Sequence, residues 1–133
     1  RHRPTIEKNL AYNCPNQTSS QLITSDIFSN ITDRYDCILC NPPYIDPALD
    51  RTESSVKDFE PHQALYGGAD GLAVIHKIIA AAPEYLTPGG QLWLEHEPEQ
   101  SAEIARLATA IGLTATTHQD QYKIERYSIL VLQ

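Results

Sequence analysis

The sequence predicts an α/β protein built on a parallel, doubly wound sheet with one antiparallel strand at its edge. Three observations carry this. Short apolar runs alternate with amphipathic stretches along most of the 133 residues, the order of a parallel sheet with helices on its faces. One run, Cys37-Ile38-Leu39-Cys40, has no polar alternation and stops abruptly at Asn41-Pro42-Pro43-Tyr44. Such a run reads as a strand buried on both faces. The last two runs, Leu113 to His118 and Tyr127 to Leu132, have no helix between them. Their connection around Gln119 to Arg126 is compatible with a hairpin.

The elements follow in order. Ile6 and Leu10 recur at helical spacing, so Thr5 to Tyr12 reads as the end of a helix, stopped by Asn13-Cys14-Pro15-Asn16. Gln21-Leu22-Ile23-Thr24 reads as a short strand closed by Ser25-Asp26, and Ile27, Phe28 and Ile31 as a short turn or helix. After the central strand comes a polar segment, Ile45 to Asp70, expected to be a long loop of the kind that is usually functional or mobile. Glu60 is expected to anchor it. Gly67-Gly68 signals a tight backbone approach. Asp70 is placed as the N-cap of a helix whose core stripe is Leu72, Ile75, Ile78, Ile79 and Ala82. Pro88-Gly89-Gly90 is a turn before a strand, Gln91 to His96, with Leu92 and Leu94 on one side and Trp93 on the other, read as core. Pro98 to Ala110 is a helix with core face Ile104, Leu107 and Ile111, stopped by Gly112.

Composition bounds the function. The length suits one domain with its own core, and no apolar run approaches a membrane span. The N-terminus, Arg1-His2-Arg3-Pro4, is basic but no apolar segment follows, so no signal peptide is visible. A formal net charge of −7 argues against broad nucleic-acid binding, which uses clustered Lys and Arg. Cys37 and Cys40 have C-x-x-C spacing, yet on a strand they point to opposite faces. Buried apolar thiols are therefore expected, with no metal site, in a reducing compartment such as the cytoplasm.

The chemistry concentrates at Asn41-Pro42-Pro43-Tyr44. Two prolines end the strand and hold Asn41 extended, which makes a rigid corner where open α/β sheets place ligands. Asn41 offers an amide oxygen and two N–H donors, the proline carbonyls offer acceptors, and Tyr44 offers an aromatic face. That set suits an amino or amide group on a planar substrate.

These residues resemble the protein-(glutamine-N5) methyltransferases that modify peptide-chain release factors. The resemblance runs through Ser25-Asp26-Ile27-Phe28-Ser29, Asn41-Pro42-Pro43-Tyr44-Ile45, Glu60-Pro61 with Ala64-Leu65, Gly67 to Leu72, Leu86 to Gly90, Leu94-Glu95-His96 with Gln100, and Asp120 to Arg126. Asn-Pro-Pro-Tyr alone is shared with methyltransferases acting on nucleobase amino groups; the Glu60 to Leu72 block points to glutamine. The resemblance implies a partial seven-stranded, Rossmann-like S-adenosylmethionine-dependent fold. Residues 1–133 would form the carboxy-terminal part of its single catalytic domain, with the first two strands missing. In the order 3-2-1-4-5-7-6 those strands would lie between Gln21 and Cys37. An isolated chain is then expected to fold poorly or to pair with another copy. The family's glycine-rich turn and ribose-binding acidic residue are absent from the sequence and are expected before Arg1.

The roles implied are these. Asn41, Pro42 and Tyr44 are catalytic, and with Pro43 they bind substrate. Asp26, Ile27 and Asn41 lie on the cofactor side, Ile27 standing where many members have a Trp. The implied cofactor is S-adenosylmethionine and the implied partner a class 1 release factor, with neither membrane nor direct nucleic-acid contact. His96 is expected to be a satisfied group supporting the site from behind, with direct contact to substrate as the alternative. Two other readings stay open: an adenine-N6 or other nucleic-acid amino-methyltransferase, and an inactive remnant or interaction module.

Overall fold

The computed structural model describes residues 2–14, 20–49 and 54–133. The chain divides into two compact units, Arg1–Ile31 and Thr32–Gln133.

In the first unit, α1 (Arg3–Asn13) carries Pro4 in its first turn, where no N–H is needed. Its amphipathicity is weak and none of its residues is buried. The strand expected at Gln21 to Thr24 is not formed; residues 20–25 are irregular. A strand exists only through a partner's ladder, and all strands among the described residues belong to one sheet elsewhere. The turn expected at Ile27 to Ile31 is present. Ser29 N–H donates to the Asp26 carbonyl, and Ile31 N–H to that of Phe28.

The second unit holds β1 (Tyr35–Cys40), α2 (Ser54–Phe59), α3 (His62–Leu65), α4 (Ala73–Tyr85), β2 (Leu86–Glu95), α5 (Ser101–Ala110), β3 (Leu113–Gln119) and β4 (Glu125–Leu132). The sheet order is β1-β2-β4-β3. β1 and β2 are parallel, while β4 runs antiparallel to both neighbours; the uninterrupted final pair does supply one antiparallel strand, but it lies inside the sheet and not at its edge, which β3 occupies because β4 inserts between β2 and β3. In register, Leu39 lies beside Trp93, and Trp93 beside Ile129.

The core sits on one face. Leu92, Leu94 and Leu130 from the sheet are fully buried with Ile75 and Ile79 of α4 and Ile104 of α5. Each such side chain contributes about 1.5–3 kcal/mol of burial free energy. The opposite face is open: Leu39 is 75% exposed. The sequence reads β1 as buried on both faces, but among the described residues of this unit it pairs only with β2, and α4 and α5 lie on one face of the sheet. For the same reason Cys37 is exposed, although Cys40 is half-buried and its thiol pKa is raised by that burial.

Other differences have local causes. The long polar segment contains α2 and α3, and it is tied back by a bridge between Ile45 and Tyr66. Asp70 is not an N-cap. It sits in a 3₁₀ turn, Ala69–Gly71, with φ 57°, and α4 begins three residues later. The expected α4 stripe is otherwise present: Ile75, Ile78, Ile79 and Ala82 are buried. β2 starts earlier than expected, at Leu86, and absorbs Pro88-Gly89-Gly90 as an irregularity opposite the register shift in β1. In α5 the core face is Ile104 and Ala108, one turn apart; Ile111 lies past the helix end and is exposed. Gly112, at φ 81°, ends the helix as its position predicts.

Candidate functional site

β1 ends at Cys40, and the chain turns at Asn41-Pro42-Pro43-Tyr44 with Asn41 exposed and Pro42 buried. Ile45 then pairs again: its N–H donates to the Leu65 carbonyl at 3.0 Å, and its carbonyl accepts from Gly67 N–H at 3.1 Å. Glycine is required at two points behind this corner. A Cβ on Gly67 would strike the Pro43 carbonyl oxygen, and one on Gly71, at φ 67°, would strike that of Tyr44. The Gly-Gly…Asp-Gly block thus packs directly on the corner's backbone, which is why the two sequence features belong together.

Side chains converge from β2, β3 and β4 and from the turn before α5. The Tyr44 hydroxyl donates to Glu95 Oε1 at 2.7 Å. Burial and this bond push the phenol well above its ordinary pKa range. Gln100, buried at the entrance to α5, donates through Nε2 to the carbonyls of Tyr44 and Asp70 and accepts from Glu97 N–H. Arg126 donates to Glu97 at 2.7 Å and lies 3.9 Å from Asp120. Trp93, Tyr127 and His118 form a stacked row, with centroids 5.7 Å and 5.2 Å apart.

A cleft of about 580 Å³ opens between these groups, lined by Asn41, Tyr44, Trp93, Glu95, Arg126 and Tyr127 among others. A second cavity of about 290 Å³ lies behind the corner against Glu60, Ala64 and Leu65. Asn41 and Tyr44 line both. The corner therefore forms the wall between two cavities. Two carboxylates, Glu97 and Asp120, flank the Arg126 guanidinium and a third, Glu95, lines the same cleft, an arrangement unsuited to a phosphate backbone.

The expected site residues are placed as follows. Asn41, Pro42, Pro43 and Tyr44 come together at the corner. Asp26 and Ile27 lie in the first unit, in a turn where Asp26 N–H donates to Ser29 Oγ and Ile27 has φ 52°. His96 is fully buried and satisfied, Nδ1 against the Glu97 carbonyl and Nε2 against Ser128 Oγ, both at 2.8 Å. Trp93 is not core but lines the cleft. The roles of Glu95, Gln100 and Arg126 were not readable from spacing; the only sequence signal was their inclusion in the resemblance.

No protein-family model matches the chain. Proteins named release factor glutamine methyltransferase do. That of Francisella tularensis is 40% identical over 100 residues, 74% of this chain and 35% of the relative. That of Geobacter sulfurreducens is 39% identical over 108 residues, 79% of this chain and 38% of the relative. That of Lactococcus lactis is 42% identical over 116 residues, covering 84% and 42%. The fold resembles the crystal structure of a methyltransferase from Pyrococcus furiosus, with a TM-score of 0.53 at 19% identity over 76% of this chain and 42% of that one. The chain spans between about a third and two fifths of the length of these curated relatives. Across the segment they share, the chain is similar to proteins named release factor glutamine methyltransferase.

Proposed function

We propose that the whole protein methylates the side-chain amide nitrogen of a glutamine in a class 1 peptide-chain release factor, using S-adenosylmethionine in the cytoplasm, and that residues 1–133 supply the substrate clamp within its catalytic domain. The single observation that carries this is the corner itself: Asn41 and Tyr44 face two cavities at once, and the glycine block locks them from behind. The names of the relatives support the substrate class.

The chain's residues fit that cofactor in part. The Asp26–Ile27 turn offers a carboxylate and an apolar side chain suited to an adenine edge and face, and Asn41 stands at the corner. No glycine-rich turn or ribose-binding acid follows a strand among the described residues. S-adenosylmethionine, when bound, supplies an electrophilic methyl group.

An amide nitrogen is a poor nucleophile because its lone pair is shared with the carbonyl. The Asn41 side-chain oxygen and the Pro42 carbonyl accept hydrogen bonds from the two N–H groups of the substrate amide, favour loss of amide planarity so that the lone pair is freed from the carbonyl, and offset the positive charge that grows on nitrogen. One N–H proton is released to solvent as the methylated amide leaves the site. Tyr44 packs on the amide and excludes water. No strong base is needed.

The test is methyl transfer by the whole protein to a purified release factor, to the same factor with its target Gln replaced by Ala, and to adenine-containing DNA and RNA. Label on the native factor alone is expected. Label on nucleic acid alone would sink the proposal in favour of a base-modifying enzyme, for which the acidic cleft is unsuited. Calorimetry with S-adenosylmethionine separates a remnant from an enzyme: the whole protein should bind it.

A further inference from the structure

We infer that Gln100 is a positioning residue for the Asn41–Tyr44 corner, holding it through the main chain. This deepens the proposed function and rests on it. Gln100 is 5% exposed, yet it belongs to neither strand nor corner and touches no part of the open cleft. Its amide is fully used. Oε1 accepts from Glu97 N–H at 3.0 Å, while Nε2 donates to the Tyr44 carbonyl at 2.9 Å and to the Asp70 carbonyl at 3.0 Å. One side chain thus joins three segments: the start of α5, the corner, and the 3₁₀ turn behind it. The absence of a Cβ at Gly71 creates the room, since a Cβ there would strike both the Tyr44 carbonyl and Gln100 Nε2.

The chemistry specifies a carboxamide. Two carbonyls demand two N–H donors, and the Glu97 N–H demands an acceptor on the same short side chain; Gln provides both. A carboxylate of equal size would set lone pairs against lone pairs. In its neutral form it could donate to one carbonyl only. The carbonyl of Tyr44 is one peptide from Pro43, so its position fixes the ring of Tyr44 and the carbonyls on which the amide is oriented.

The experiment compares wild type, Gln100→Glu and Gln100→Met in the whole protein, by kcat and KM on the release factor between pH 5 and 9. Gln100→Glu should lower kcat at least tenfold at alkaline pH with KM changed less than threefold, and recover as pH falls and the new carboxyl takes up a proton. Asp46, Asp70, Glu97 and Glu99 line the small cavity beside this position, Tyr44 lies above it, and Arg126 is engaged by Glu97. The surrounding carboxylates raise the new group's pKa, so recovery should begin above the ordinary carboxylate range. Gln100→Met, apolar and of similar length, should lose kcat with no such recovery; it carries the test if the Glu variant does not fold. Equal kcat in folded Met and Glu variants at acid as well as alkaline pH, or losses that merely follow lowered thermal stability at every pH, would overturn the assignment. The ring resonances of Tyr44, labelled with ¹³C, give a reading independent of substrate. They should shift in Gln100→Met even if the wild type proves inactive on release factors, a result that defeats the proposed substrate and leaves the clamp standing. Unshifted resonances defeat the clamp.

Discussion

The hydroxyl of Tyr44 donates a 2.7 Å hydrogen bond to Glu95 Oε1 across a separation of 51 residues. It joins the corner after β1 to the last residue of β2, so the aromatic wall of the proposed amide site is set by the sheet as well as by the corner. Tyr44→Phe keeps the ring and removes the bond. A hydrogen bond to a charged group contributes about 1.5–3 kcal/mol, so the variant should lose up to that much unfolding free energy. It should also change the alkaline limb. The folded phenol's pKa is raised, so its stabilisation is complete below the ordinary tyrosine value and declines above about pH 10 as the unfolded chain ionises. Urea titrations from pH 8 to 11 should show a shallower decline for Tyr44→Phe than for wild type.

His96 predicts the opposite limb. Its Nδ1 faces a carbonyl, which can only accept, so Nδ1 carries the proton and Nε2 accepts from Ser128 Oγ, which lies 3.0 Å from Thr117 Oγ1. Burial pulls the imidazole pKa down, against the raising effects of the Glu97 carbonyl and of Glu125 and Glu97. A lowered folded pKa gives stabilisation that is full above the unfolded value of about 6.5 and is lost as pH falls through the folded value. Wild-type stability should therefore drop between pH 6.5 and 5. His96→Gln should be less stable at neutral pH with a flatter acid limb; an unchanged limb would show that another group governs it.

These groups mark how far the sequence is legible. Periodicity reads what depends on a chain's own face. The Ile75-Ile78-Ile79-Ala82 stripe, the Leu92/Leu94 alternation and the Gly112 stop follow from local pattern, and the structure keeps them. What depends on a neighbour is not legible. Cys37 to Cys40 looks doubly buried in sequence, but burial needs cover on both faces. Residues 21–24 look like a strand, but a ladder needs a partner. Asp70 precedes an apolar stripe and so mimics a cap, whereas its conformation is dictated by the approach of Gly71 to Tyr44. At the site, Asn41 to Tyr44 announce themselves by two prolines between polar groups. Glu95, Gln100 and Arg126 do not, because their partners are distant in the chain.

Glycine substitutions separate close approach from backbone conformation. Gly71 and Gly112 both have positive φ, but nothing lies within 4 Å of a Cβ built on Gly112. Gly112→Ala should cost about 1–2 kcal/mol, the ordinary penalty of a left-handed residue. Gly71→Ala carries that penalty and also drives a methyl group into the Tyr44 carbonyl. It should cost several kcal/mol more and abolish methyl transfer. Equal losses in the two variants, measured by chemical denaturation, would contradict the packing of the glycine block on the corner.

The β3–β4 connection offers a gain. Asp120 Oδ1 accepts from the N–H groups of Tyr122 and Ile124, and the turn this makes puts Lys123 at φ 61°. A side chain there has the left-handed penalty of about 1–2 kcal/mol, part of which glycine returns as greater freedom in the unfolded chain. Lys123→Gly should therefore stabilise the protein by roughly 1 kcal/mol, seen as a higher Tm.

Asn41 itself carries the heaviest prediction. Its side chain is exposed at the corner and faces both cavities, so truncation disturbs no core. Asn41→Ala should leave the unfolding free energy within about 0.5 kcal/mol of wild type, as surface changes do. On the proposed mechanism the same change removes an acceptor for the substrate amide, and should lower kcat by roughly 10²-fold or more, about 3 kcal/mol of transition-state stabilisation. Asn41→Asp keeps an acceptor but adds a charge and loses both donors; it should fall between the two if the oxygen is what matters. The order wild type, Asp, Ala in kcat, at constant stability, assigns the work to the side-chain oxygen. Normal turnover by Asn41→Ala would remove Asn41 from the chemistry altogether.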